Sequence, residues 1–367
     1  MKHQIMTYYF IGIGGVGMSA LARLCLNQGN KVFGYDRAHT KVTDELESEG
    51  IPIIYKDTVE AMYSEVLEKQ TQIIYTAAVT DAHPQLNYFI KNKFSVKKRA
   101  LFMAELCNGK QTLAVAGTHG KTTTSAFLTH IFSKTQQSFT SIMGGFFQGN
   151  PSNLIRTGDD FMLVEADEYD RSFLHLNPTV GAITSIDLDH LDVYQTREAF
   201  EKAFTTFSSQ VSEQLIVAYD LPFEGLTYGV EVDADYRIYN LKHLEGGYEF
   251  DLMTPTENFS QVKLNQLGEH NLSNMLCALA MVDQVKISLD AALKALISFP
   301  GVHRRMNLFK WNDKLLVDDY AHHPNEIKSV LKLLSFLAAT HSLIFFTIAS
   351  VVINSLLSRC PHLFLSI

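Results

Sequence analysis

The residues best suited to chemistry are Gly117-Thr118-His119-Gly120-Lys121-Thr122-Thr123. They follow the apolar run Leu113–Ala116 and precede a helical apolar stripe from Ser125 to about Phe132. A glycine-rich turn between a strand and a helix aims its backbone N–H groups into a concavity that holds phosphate oxygens. Lys121 adds a point charge that reaches the β- and γ-phosphates, and the Thr122 hydroxyl can ligate Mg²⁺. Val115 stands where the usual GxxxxGK[ST] spacing has its first glycine, so the pattern taken alone also fits a glycine turn with a solvated lysine.

Two acidic runs follow apolar strands. Glu165-Ala166-Asp167-Glu168 comes after FMLV, and Asp187-Leu188-Asp189-His190 comes after ITSI. Divalent cations that neutralise a phosphate take oxygen ligands, and a neutral imidazole such as His190 is a further ligand. Parallel sheets gather their sites at the carboxyl ends of strands, which places both runs beside the lysine loop. Either run alone also reads as a solvated acidic turn.

A second glycine cluster, Gly12-Ile13-Gly14-Gly15-Val16-Gly17, fits G-x-G-x-x-G, with Asp36 about 20 residues further on. It suits a pyrophosphate at a helix N-terminus, whether from a dinucleotide or from a nucleotide sugar. A nicotinamide-dependent oxidoreductase is one reading, but hydride transfer has no need of the second phosphate loop at 117.

The elements that must position these residues alternate strand and helix. TYYFIGI (7–13), KVFGY (31–35), 51–55 and QIIYT (72–76) read as strands, with helical stretches between them. A second cycle starts after Lys110, with strands at 113–116, 161–164 and 180–186 and a helix over 198–208. Short strands then fill 225–264, helices cover 270–285 and 290–298, and a strand covers 315–317. This alternation predicts doubly wound parallel sheets. The 367 residues allow two or three domains. A net charge of −8 argues against nucleic acid as the main partner, because phosphate neutralisation needs a basic field. Cys25, Cys107, Cys277 and Cys360 are scattered, which suits a reducing cytoplasm rather than a disulfide framework.

Eight blocks, in order over 7–333, together resemble the Mur ligases. They are FIGIGGVGMSALA (10–22), KRALFMAEL (98–106), VAGTHGKTTT (115–124), EADEYDRSFLHLNP (165–178), SIDLDHLDVY (185–194), GEHNLSNMLCALA (268–280), FPGVHRRM (299–306) and DDYAHHPNEI (318–327). The resemblance implies a multi-domain α/β architecture. It has a Rossmann-like UDP-sugar domain over 1–107, a central P-loop ATPase domain over 108–298 and an incomplete C-terminal α/β domain over 299–367. It also implies a reaction in which the lactyl carboxylate of UDP-N-acetylmuramate takes the γ-phosphate of ATP and the amine of L-alanine then displaces phosphate. The GIGGVGM form of the first loop points to the alanine-adding branch, with the murein tripeptide branch as the sister reading.

Carried onto this chain, the resemblance gives Lys121, His119, Glu165 and His190 catalytic roles. Gly117, Thr118, His119, Gly120, Lys121, Thr122 and Thr123 would hold ATP phosphates, and His270, Asn271 and Asn274 would line the adenine pocket. Arg304 and Asp319 would reach ATP from the third domain, and His323 would face the amino acid. Thr122 and Glu165 would bind one Mg²⁺ and His190 a second. Gly12, Gly14, Gly15, Gly17 and Arg99 would hold the UDP-sugar.

Residues 334–367 are unlike the family, and 333–358 contain no Lys, Arg, Asp or Glu. Three expectations compete for this tail: a transmembrane helix, being long enough to span ~30 Å of hydrocarbon, an out-of-frame tail on a nucleotide-binding remnant, or a divergent short domain. The diluting Ser and Thr residues argue against the membrane reading.

Overall fold

The computed structural model describes residues 4–187, 191–244, 246–311, 314–338 and 344–347. The first sheet holds β1 (Thr7–Ile11), β2 (Lys31–Tyr35), β3 (Ile53–Ile54), β4 (Gln72–Tyr75) and β5 (Ser95–Lys98). Its order is β3-β2-β1-β4-β5, parallel throughout. Helices α1 (Val16–Asn27), α2 (Lys41–Ser48), α3 (Pro84–Lys91) and α4 (Arg99–Cys107) connect and flank these strands. α1 forms where the apolar spacing Met18, Leu21, Leu24, Cys25 gives one buried stripe, and it ends at Gly29, whose φ of +80° favours glycine.

The central sheet contains β6 (Gln111–Ala116), β7 (Phe139–Ile142), β8 (Leu154–Arg156), β9 (Phe161–Ala166), β10 (Val180–Ile183), β11 (Gln214–Ala218), β12 (Leu226–Val230), β13 (Tyr236–Leu244), β14 (Gly247–Met253) and β15 (Asn258–Leu264). Their order is β15-β14-β13-β12-β11-β10-β6-β9-β7-β8. The strands from β13 to β7 run parallel, and the pairs at both edges are antiparallel. The helices of this region are α5 (Lys121–Lys134), α6 (Leu191–Tyr194), α7 (Arg197–Gln210), α8 (Glu269–Gln284) and α9 (Leu289–Leu296).

The period-2 alternation of β6 divides the interior. Leu113 and Val115 point into a core shared with Phe127, Ile131 and Leu276 of α5 and α8. Ala114 and Ala116 point the other way, into a core shared with Met18, Leu21 and Phe102 of α1 and α4 and with Phe204 of α7. Each fully buried large side chain contributes roughly 1.5–3 kcal/mol. Helices of the first sheet therefore pack against the back of the central sheet, and the two glycine turns share one continuous core. Asn153, fully buried, adds a polar link. Its Nδ2 donates to Val16 O (2.5 Å) and Met143 O (3.2 Å), and its Oδ1 accepts from Arg23 Nη1 (3.1 Å).

The third sheet pairs β16 (Asn307–Trp311) antiparallel with β17 (Lys314–Asp318), and β17 parallel with β18 (Ile344–Thr347). Between β17 and β18 runs α10 (Pro324–Ala338). The β17-α10-β18 unit thus carries α/β structure past Leu333. Residues 348–367 lie outside the described residues. Among the described residues, no helix is long and apolar enough to cross a membrane.

Several elements differ from the sequence reading. The helix expected from Ser125 starts at Lys121, because Gly120 in the left-handed region ends the turn earlier. The strand expected over 180–186 stops at Ile183, and Thr184–Asp187 become a loop that holds the lysine turn. β5, SVKK, was invisible to a hydrophobicity pattern because it is a half-buried polar edge strand.

Candidate active site

β6 lies between β10 and β9, so the strand order reverses at its carboxyl end and opens a crevice there. Gly117 and Gly120 have φ of +133° and +83°. A Cβ at Gly117 would overlap Thr184 Oγ1, and one at Gly120 would overlap Asn274 Oδ1, so both conformation and space require glycine. The segment after β10 fastens the turn. Thr118 N donates to Ser185 O (3.0 Å), His119 N to Ser185 Oγ (2.9 Å) and Thr118 Oγ1 to Asp187 O (3.0 Å). α5 starts without a side-chain cap, which leaves its first-turn N–H groups facing the turn's concavity.

Lys121 Nζ bonds to Glu168 Oε2 at 2.6 Å and donates to Gly117 O at 2.5 Å and Thr118 O at 3.3 Å. The Glu168 side chain is only 2% exposed. Burial raises its pKa, and the Lys121 ammonium pulls it back down. Thr122 Oγ1 donates to Glu165 Oε2 (3.1 Å), and Gly144 N donates to Glu165 Oε1 (2.7 Å). Burial likewise raises the Glu165 pKa, opposed by the Gly144 N–H and by Lys121. A hydroxyl and a carboxylate this close form a hard oxygen donor pair, which fits Mg²⁺. His190 lies outside the described residues.

Two cavities meet at this turn. A cavity of 210 Å³ is lined by His119, Gly120, Thr123, Asn274, Arg305 and Asp319, among others. A larger one, 650 Å³, is lined by residues that include Val16, Thr122, Gly144, Phe147, Arg304 and Arg305. His270 lines the smaller cavity, and its pKa is depressed to about 4, first by burial and then by Arg305. It is therefore a neutral imidazole at pH 7. Asn271 supports rather than lines the cavity: its Nδ2 donates to Leu267 O (2.7 Å) and its Oδ1 accepts from Asn274 Nδ2 (3.4 Å). Asp319 is buried and accepts from Met306 N (2.8 Å) and Ala321 N (2.7 Å), so it shapes the third region as well as lining the cavity. The rings of His323 and His119 lie 4.6 Å apart.

At the first glycine turn, Gly12 has φ +84°, and a Cβ there would come within 2.7 Å of Thr76 Cγ2. Gly14 N donates to Asp36 Oδ2 (2.8 Å). The Arg99 guanidinium lies directly against Gly17 and reaches Asp167 Oδ2 at 3.3 Å, so α4 brings a cation to this turn and links it to the acidic run after β9.

Of the sequence-derived residues, those at 117–123, Glu165, His270, Asn274, Asp319 and His323 gather around the lysine turn. Gly12, Gly14, Gly17 and Arg99 gather at the first turn. Arg304 is exposed and lines only the larger cavity, whereas its neighbour Arg305 is half-buried and lines both. The sequence reading took Arg304 and Arg305 as a basic pair and gave Arg305, Glu168 and Glu326 no individual role. The doubled arginine and the second glutamate of the acidic run were the available signals, but neither says which residue turns inward.

Residues 7–111 match the model of the Mur ligase family catalytic domain, and residues 115–282 match that of the Mur ligase middle domain. The chain is 43% identical over 331 residues to the UDP-N-acetylmuramate–L-alanine ligase of Flavobacterium johnsoniae, covering 89% of this chain and 74% of that protein. It is 44% identical over 333 residues to the ligase of the same name from Christiangramia forsetii, with the same coverage. The crystal structure of UDP-N-acetylmuramate–alanine ligase from Thermotoga maritima superposes with a TM-score of 0.81 at 28% identity, covering 90% of this chain and 77% of that one. With two phosphate-type turns on one shared core and this degree of likeness along the chain, the protein belongs to the Mur ligase family.

Proposed function

We propose that this chain joins L-alanine to UDP-N-acetylmuramate in an ATP-dependent reaction of peptidoglycan precursor synthesis. The observation that carries the reading is the meeting of two cavities at one lysine turn. Thr122 faces the larger cavity, His119, Gly120 and Thr123 face the smaller, and Arg305 borders both. Nucleotide in one and the sugar-linked acid in the other would bring a carboxylate to a terminal phosphate. The relatives at 43–44% identity carry the alanine-ligase name, which favours that acceptor over a tripeptide.

A carboxylate is a poor acyl donor. In the first step its oxygen bonds to the γ-phosphorus while the bond from that phosphorus to ADP breaks. In the second, the amine nitrogen of L-alanine bonds to the acyl carbon, phosphate leaves and the nitrogen loses a proton. The protein's task is to bring anions together and hold them in line. Lys121 exchanges the carbonyls of Gly117 and Thr118 for the β- and γ-phosphate oxygens, and Glu168 keeps the ammonium desolvated and aimed. The first-turn N–H groups of α5 cradle the phosphates. Arg305 offsets charge where the two substrates approach, and His119 lies beside the reacting groups with His323 on the amino-acid side. Thr122 and Glu165 would hold Mg²⁺, with His190 as ligand to a second ion, and this metal supplies charge neutralisation between the two anions. His270 and Asn274 would receive the adenine. The turn at Gly12–Gly17, with Arg99, would receive the UDP pyrophosphate. We assign the work to the cytoplasm, where ATP is available and where the buried free thiols Cys25, Cys107 and Cys277 remain reduced.

The test is phosphate release by the full chain with UDP-N-acetylmuramate, ATP, Mg²⁺ and a panel of amino acids. Release dependent on L-alanine, with an amide product of matching mass, is expected. NADH binding at the first turn without any phosphate release would overturn the reading.

A further inference from the structure

Three side chains from separate segments converge beside the lysine turn: His119 within it, Asp187 after β10 and His323 just before α10. Their candidate ligand atoms all lie within 4.8 Å of one another. His119 Nδ1 is 3.0 Å from Glu326 Oε1. A carboxylate only accepts, so Nδ1 donates to Glu326, and the contact orients the ring so that Nε2 faces Asp187. Nε2 is enclosed, lies 3.1 Å from Asp187 Oδ2 and has no hydrogen-bond partner among the described residues. A carboxylate that orients one ring nitrogen while the other faces further ligands is the arrangement that supports metal-binding histidines.

We propose that His119, Asp187 and His323 form a binding site for an imidazole-preferring divalent cation, such as Zn²⁺ or Co²⁺, with Glu326 as the positioning residue for His119. Two imidazoles and one carboxylate suit cations of this class, whereas the hydroxyl–carboxylate pair at Thr122 and Glu165 suits Mg²⁺. The two sites share no donor. A cation here fastens the phosphate turn, the β10 exit and the start of α10 to one another, and it stabilises the folded chain by mass action. The inference does not depend on which amino acid the enzyme adds.

Co²⁺ titration of the full chain in excess Mg²⁺ tests it, read by visible d–d absorption and by thermal unfolding. The expected result is a saturable spectrum at one Co²⁺ per chain, displaced by Zn²⁺ but not by Mg²⁺, with a raised Tm. Asp187→Asn and His323→Ala should each abolish the spectrum. Glu326→Gln should weaken binding about 10–100-fold, and Glu165→Gln should leave it intact. Circular dichroism of each variant establishes folding, and the near-isosteric Asp187→Asn guards against loss through misfolding. Absence of a spectrum in the folded wild type, or an unchanged spectrum in both Asp187→Asn and His323→Ala, overturns the proposal.

Discussion

The turn at Gly12–Gly17 and the turn at Gly117–Thr122 both leave a parallel strand at a switch in strand order and enter a helix. Both begin with a glycine at positive φ that has no room for a side chain. Their charges differ. At the first turn, Asp36 accepts from the Gly14 N–H, and the Arg99 guanidinium is anchored by Asp167. That is a fixed cradle, whose cation is already anchored before any ligand arrives. At the second, a lysine bonds to the turn's own carbonyls and to a buried carboxylate, Glu168. That cation can be handed to a ligand and taken back. The contrast teaches that glycine spacing sets backbone shape. Whether such a turn binds or reacts depends on charges delivered by other elements.

The largest effect is expected at the other buried carboxylate of the second turn, Glu165, which meets Thr122. Glu165→Gln should lower kcat about 10²–10³-fold, a loss typical for a preorganised charge-stabilising group, while the KM for UDP-N-acetylmuramate stays near wild type. Equal losses in both parameters would show that Glu165 only maintains structure. Next come the paired arginines. Arg305→Ala should reduce kcat/KM about 10–100-fold for ATP and the sugar nucleotide alike, a loss of roughly 1.4–2.7 kcal/mol. Arg304→Ala should matter less and affect only the sugar substrate. Steady-state kinetics with each substrate varied decides, and a reversed ranking would place Arg304 at the centre.

A smaller effect is expected at the first turn. Gly12→Ala should cost about 1–2 kcal/mol from the left-handed conformation and should raise the KM for UDP-N-acetylmuramate without changing that for ATP. A matching rise for ATP would mean that the two turns are not functionally separate. The smallest effect concerns pH. The folded-state pKa of His270, about 4, lies below the ordinary 6.5. The neutral ring's contribution is therefore complete above pH 6.5 and is lost as pH falls toward 4. Denaturant unfolding across that window should show a shallower decline for His270→Gln than for wild type, and parallel curves would contradict the assignment.

Much of this arrangement was legible in the residues. The strand–glycine–helix signals at 7–27 and 113–132 depend on local spacing, and the structure has β1-α1 and β6-α5 there. The packing of α1 against β7 and β8 at the back of the central sheet was not legible, because a β-strand buried on both faces does not reveal which helix covers which face. Arg99 against Gly17 and Arg305 at the meeting of the cavities are long-range placements that no local period encodes. Lys121 illustrates both sides. Its position in the turn could be read from its neighbours, but its buried partner Glu168 required the register of β6 against β9. Past Leu333, where charge disappears from the sequence, α10 continues to Ala338 and β18 covers Ile344–Thr347.

The central claim is that the lysine turn grips the triphosphate. Calorimetric titration of the folded full chain with ATP in the presence of Mg²⁺ tests it most directly, with wild type and Lys121→Ala compared side by side. The account predicts saturable, Mg²⁺-dependent binding that weakens at least about tenfold in the variant, or 1.4 kcal/mol. Equal ATP binding by wild type and a well-folded Lys121→Ala protein would contradict it.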